Sequence, residues 1–211
     1  NIFYFLTSYS IIFYFDDETY AHTNTEADLL KITNSTATET NTITFKPDPG
    51  VTPVITIIAV EDIIDYDYDT EYGFFIDGGS HIIFDGSNDN DAHRDTKIIM
   101  AGFNSSAFRI LGYPTTHNIT IKNCEIQGYA NTVSNFGIYC GDITYLNAYI
   151  HNCIFDNNLI TKEYNGIRIA SALDMSNAYT GTKITNNTIG SSVVSDYVTG
   201  YGIFAQYQEN I

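Results

Sequence analysis

The chain of 211 residues has no tryptophan, two methionines, three cysteines and four prolines, and nine basic residues stand against 25 acidic ones. Each shortage excludes something. A formal charge of −16 sets the chain against nucleic-acid backbones and anionic membrane surfaces, both of which would repel it. No segment reaches the roughly 18 apolar residues of a spanning helix, so no membrane insertion is expected. The most apolar stretch, residues 1–15, contains Thr7, Ser8, Tyr9 and Ser10 and lacks a basic n-region, and it reads as strand rather than signal peptide. No amphipathic helix is found beyond a short turn expected from Glu26 to Lys31. The five histidines show no H-x-x-x-H spacing. A G-x-S-x-G elbow and a phosphate-cradling glycine loop are absent. Pro47, Pro49, Pro53 and Pro114 all fall in or beside polar connections, where they remove no donor from a central strand.

What is abundant is isoleucine, threonine, tyrosine, phenylalanine and asparagine, a mixture that favours strands and turns over helices. Three stretches fit the template I-x-N-x-x-[IF], starting at Ile121, Ile150 and Ile184, and each is followed by a strand-like element opening with Gly137-Ile138, Gly166-Ile167 and Gly202-Ile203. From Ile121 to Ile150 is 29 residues and from Ile150 to Ile184 is 34. A period of this size with variable gaps marks a solenoid, whose strands are kept and whose loops vary. Within the copies, Ile119, Ile121, Cys124 and Ile126 are expected inward, as are Ala148, Ile150, Cys153 and Phe155, and then Thr182, Ile184 and Ile189. Asn123, Asn152 and Asn186 are expected at the bends, because asparagine tolerates a left-handed backbone and can stack as a hydrogen-bonded ladder. On this alignment Cys124 and Cys153 share a slot about 4.8 Å apart. That separation permits a disulfide or a pair of buried thiols, and parallel Cβ directions disfavour the disulfide torsion.

The run Asn41-Thr42-Ile43-Thr44-Phe45-Lys46-Pro47, then Gly50-Val51-Thr52-Pro53-Val54-Ile55-Thr56, then His81-Ile82-Ile83-Phe84-Asp85-Gly86-Ser87-Asn88, then Arg94-Asp95-Thr96-Lys97-Ile98-Ile99, and finally Asn118-Ile119-Thr120-Ile121-Lys122-Asn123-Cys124 carries a family resemblance. From Ile11 to Ile211 the chain resembles the right-handed parallel β-helix domain of large secreted and cell-surface proteins of Bacteroidetes-type bacteria, many of which carry a C-terminal sorting domain. The resemblance implies an all-β solenoid of pectate-lyase-like architecture, secreted or cell-surface, with further domains of the same chain as partners. One domain is expected over 1–211, with N-terminal coils in 1–70 and regular coils in 71–211, as part of a longer chain. These are scaffold motifs without chemistry of their own.

The same fold houses pectate lyases and polygalacturonases. Their ordered Asp, His and Arg/Lys elements do not appear on successive coils here, and no catalytic residue is assigned. Arg168, near Glu163 and Asp174, is the one basic residue that invites a lyase reading, and the plainer one is an outward arginine on a strand. No cofactor is expected unless calcium binds. Oxygen-rich candidates for it are the turn containing Asp85, Asp89 and Asp91, with Asp95 beyond, and the alternating row Asp65, Asp67, Asp69 and Glu71. For both, the plainer reading is a solvated surface. Seventeen tyrosines supply the amphipathic aromatics. Tyr149, expected outward beside His151, is the candidate contact for a polysaccharide or cell-surface glycan. The expected function is a structural or adhesive scaffold, with a β-helical polysaccharide lyase or glycoside hydrolase as the alternative.

Overall fold

The computed structural model describes residues 2–3, 9–24, 30–33, 36–59, 71–89, 91–102, 105–112, 116–129, 135–141, 150–170, 179–206 and 208–209. These wind as successive coils. The first carries β1 (Ile2–Phe3), β2 (Ile11–Phe15) and β3 (Thr19–Asn24), and the second β4 (Leu30–Thr33), β5 (Ile43–Pro47) and β6 (Val54–Ala59). The third carries β7 (Glu71–Asp77), β8 (Ser80–Asp85) and β9 (Thr96–Ala101), and the fourth β10 (Ser105–Leu111), β11 (Thr116–Lys122) and β12 (Cys124–Gln127). In the fifth, β13 (Phe136–Gly141) and β16 (Leu159–Thr161) flank a middle strand broken into β14 (Ile150–His151) and β15 (Ile154–Asp156). The sixth repeats that break, with β17 (Asn165–Ala170), β18 (Tyr179–Thr180), β19 (Lys183–Thr185) and β20 (Thr188–Ile189), and β21 (Ile203–Gln206) and β22 (Gln208–Glu209) begin the next. First, middle and last strands of the coils stack into sheets A, B and C, and every strand pairing is parallel. The molecule is a parallel β-helix. Lys31, expected at the end of a helical turn, lies in β4 because Leu30–Thr33 pairs with Phe74–Asp77; residues 25–29 lie outside the described residues.

Alternation drives the packing. In β9 every second residue from Thr96 is buried, which is the period of a strand with one face on a core. Equivalent inward positions then stack from coil to coil. Ile55, Ile98, Ile126, Ile160 and Ile189 form one column. Phe13, Phe45 and Phe84 form another, with ring centroids 5.1 and 4.7 Å apart. Burying each isoleucine is worth about 1.5–3 kcal/mol, and β-branched side chains on neighbouring rungs interlock without leaving their rotamers. The inward assignments hold for Ile119, Ile121, Cys124, Ile126, Ile150, Cys153, Phe155 and Thr182, all nearly or wholly buried, and Ile184 and Ile189 pack against the same core. Ala148 lies outside the described residues.

The two repeats fare differently in register. The Gly-Ile strands align as expected, with Ile138 opposite Ile167 and Ile167 opposite Ile203. The I-x-N copies do not. Ile121 pairs with Phe155, which pairs with Ile184, so Asn157 rather than Asn152 stands beside Asn123 and Asn186. Coils four to six each bend twice through a left-handed residue, at Asn118 and Asn123, at Asn152 and Asn157, and at Gly181 and Asn186. Both bends select the same chemistry five residues apart, so the template fits either one, and in the fifth coil it fits the wrong one. Gly181 takes the same left-handed backbone (φ 71°), and a Cβ there would come within 2.2 Å of Oδ1 of Asn152, which would have to turn aside.

That shift also separates the cysteines expected to be neighbours. Cys124 pairs with Thr96 and lies across from Asn158, whereas Cys153 follows the Asn152 bend. All three thiols are free and buried. Cys153 instead meets Cys140 of β13; their hydrogen bond, with burial, pushes the Cys140 thiol well above its ordinary value. Burial pushes Cys124 up to about 12.

Candidate functional site

The corner between sheets B and C gathers polar side chains. Outside the bend, the Asn157 amide donates to Oδ1 of Asn123 at 2.9 Å, Asn123 donates to Oδ1 of Asp85 at 2.8 Å, and Asn186 donates to Oδ1 of Asp156 at 2.9 Å. Inside it, the fully buried Asn158 accepts from the Cys124 amide at 3.1 Å and donates to the Ile121 carbonyl at 3.0 Å, and Oδ1 of Asn187 accepts from the Asn158 amide at 2.8 Å. Every one of these bonds joins one coil to the next. Asn152 sits at the other bend.

Of the residues expected to hold calcium, the structure brings two together. Asp89 and Asp91, with His93, place ligand atoms within 4.8 Å of one another on an exposed loop. His93 is held by Asp91, through its backbone amide at 2.7 Å and its ring at 2.7 Å. Contact with Asp91 draws the Asp89 carboxyl below its usual range. Asp85 does not join them. Its carboxylate is buried against the Lys122 ammonium at 2.9 Å, the Asn123 amide and the Ser87 backbone at 3.2 Å. Asp95 accepts from the Asn88 backbone at 3.0 Å. Two carboxylates and an imidazole fall short of the six to eight oxygens calcium takes. Asp65, Asp67 and Asp69 lie outside the described residues, as does the side chain of Glu71.

The outer face of sheet B carries His151 of the proposed carbohydrate contact; Tyr149 lies outside the described residues. His151 is the register partner of His117, and His117 packs edge-on against His81, with ring centroids 5.4 Å apart. Nδ1 of His151 is 3.0 Å from the Thr180 hydroxyl. Burial, and then His117, lower the affinity of both His81 and His151 for a proton. A search for histidines a few residues apart misses this column, because its members are separated by whole coils of unequal length.

Sheet A has a second outward row. Lys31, Phe75, Arg109, Tyr139, Arg168 and Phe204 occupy one register position of successive coils, alternating cation and aromatic ring. The Lys31 ammonium lies 4.6 Å from the Phe75 centroid, and the Arg109 guanidinium 3.9 Å from that of Tyr139. Arg168 lies 4.9 Å from Tyr139 and 5.5 Å from Phe204. Such contacts contribute about 0.5–2 kcal/mol each. Arg168 is thus outward and half-buried, as expected, and among the described residues it makes no ion pair. Glu163 is not beside it on the face but wholly buried, and burial raises its carboxyl well above the ordinary value. Asp174 lies outside the described residues.

A cavity of about 290 Å³ opens between the first coils, lined by Phe15, Tyr20, Leu30, Phe45 and Phe74 with His22 at its wall. Its apolar lining offers few groups to orient a ligand. Comparison with known proteins finds no family model, no curated protein and no solved structure that matches this chain.

Proposed function

We infer that this chain is a structural scaffold, a β-helical segment of a secreted or cell-surface protein of the Bacteroidetes type with a sorting domain, whose outer face makes adhesive contact with carbohydrate. The observation that carries the reading is where the charged and amide side chains go. Lys97 reaches Glu125 at 2.5 Å, Lys122 reaches Asp85 at 2.9 Å, Lys31 reaches Asp77 at 3.7 Å and Arg94 donates to Asn157 at 2.8 Å, each across a coil boundary. Such an investment suits a segment that must keep its shape while it holds other parts of a protein apart. The acidic surface, with a formal charge of −16, favours neutral glycans over polyanions.

The test is a screen of the purified chain against plant, algal and host polysaccharides, with and without calcium, reading both retention and depolymerisation. Retention on a neutral glycan, weakened when Tyr149 and His151 are both replaced by Ala, with no new reducing ends or unsaturated products, is the expected outcome. Chelator-sensitive product release would replace the scaffold by a calcium-dependent lyase.

A further inference from the structure

Five histidines occur in the chain, and three of them, His81, His117 and His151, fall in one column on the outer face of sheet B, on β8, β11 and β14 of consecutive coils. His117 and His151 are direct register partners, so their Cα atoms stand on rungs about 4.8 Å apart. His81 follows Ser80, the register partner of His117, and its left-handed backbone (φ 52°) carries the ring beside His117 at an interplanar angle of 85°. All three are half-buried, shielded on one side and reachable on the other. Polar neighbours hold the outer two: the Asn118 amide meets Nε2 of His81 at 3.1 Å, and the Thr180 hydroxyl meets Nδ1 of His151.

We propose that His81, His117 and His151 bind one divalent transition-metal ion of the zinc, nickel or copper type, which pins three consecutive coils together. Neutral imidazole is the nitrogen ligand these ions favour. With metal–nitrogen bonds of about 2.0–2.1 Å, two nitrogens on one tetrahedral ion lie roughly 3.3 Å apart. In the structure the nitrogens of the three rings are not all within ligand distance of one another, so binding requires the imidazoles, above all those of His81 and His151 on either side of His117, to turn about their own torsions. The Asp89, Asp91 and His93 loop is the competing site for the same ions.

Calorimetric titration of the chelator-stripped chain with zinc chloride, paired with thermal unfolding in the presence and absence of the ion, tests the proposal. One ion bound per chain with a raised Tm is expected. Binding should weaken at least about tenfold in His117→Ala and in His151→Ala, and stay unchanged in His22→Ala and His93→Ala. His117→Gln, which keeps a polar side chain but no imidazole, separates loss of a ligand from loss of fold when circular dichroism shows it folded. Saturable binding retained by folded His117→Gln, binding lost in His93→Ala alone, or no saturable binding at all would each overturn the proposal.

Discussion

Glu163 has no exposed surface, and among the described residues neither of its carboxylate oxygens has a hydrogen-bond partner. It packs on Gly128, where a Cβ would come within 2.5 Å of the carboxyl, so the room it occupies exists only because that position is glycine. An unpartnered buried carboxylate is too costly to keep ionised, and the group is held protonated instead. With the folded pKa raised above the ordinary 4.5, its favourable contribution is complete below that value and is lost as pH rises through the folded pKa. Glu163→Met replaces the carboxyl with an apolar chain of similar length. Urea midpoints measured from pH 5 to 8 should show the variant more stable than the parent, by a margin that grows with pH at up to about 1.4 kcal/mol per unit. His81 and His151, whose proton affinities are lowered, act in the opposite sense, losing stability as pH falls below about 6.5, but they are common to both proteins and cancel in the difference. Parallel pH profiles would mean that Glu163 is not protonated in the fold.

At the scale of the strand, alternation decides which substitutions the stack tolerates. Ile150 in β14 is fully buried, while Ile154 in β15, where alternation restarts beyond the left-handed bend at Asn152, is 36% exposed. Ile150→Asp places an unpaired charge in the core, at a cost of about 3–5 kcal/mol, a large share of the 5–15 kcal/mol that typically holds a domain together. It should leave the chain unfolded or insoluble, whereas Ile154→Asp should fold with a circular dichroism spectrum like the parent's. A folded Ile150→Asp would refute the inward assignment. This part of the architecture was legible in the sequence, because the period of two and the recurring Gly-Ile strands are local signals that neighbouring coils reinforce. Register was less so. The fifth coil carries Ile150-His151-Asn152-Cys153 and Phe155-Asp156-Asn157-Asn158 in succession, two bends of like composition, and only the pairing of Phe155 with Ile121 and Ile184 tells them apart. The histidine column and the cation–aromatic row of sheet A were invisible for a related reason. Their members are one coil apart, and coils whose loops differ in length leave no fixed spacing to find.

For the whole molecule, stability is approximately a sum of coil terms and terms between adjacent coils. Beside the stacked isoleucine and phenylalanine columns, the inter-coil terms include polar contacts, made by Asn158 and Asn187 within the corner and by Lys97–Glu125 and Lys122–Asp85 on the faces. The whole fold depends on the parallel stacking of coils in this register. Nitroxide labels placed at Ile154→Cys and Lys183→Cys, which are outward register partners on β15 and β19, measure it directly; the three native thiols, all buried, should stay unlabelled. The stacked register predicts labels on adjacent rungs about 4.8 Å apart, and hence strong spin–spin broadening that vanishes in urea. Sharp, non-interacting spectra from the folded double variant would contradict it.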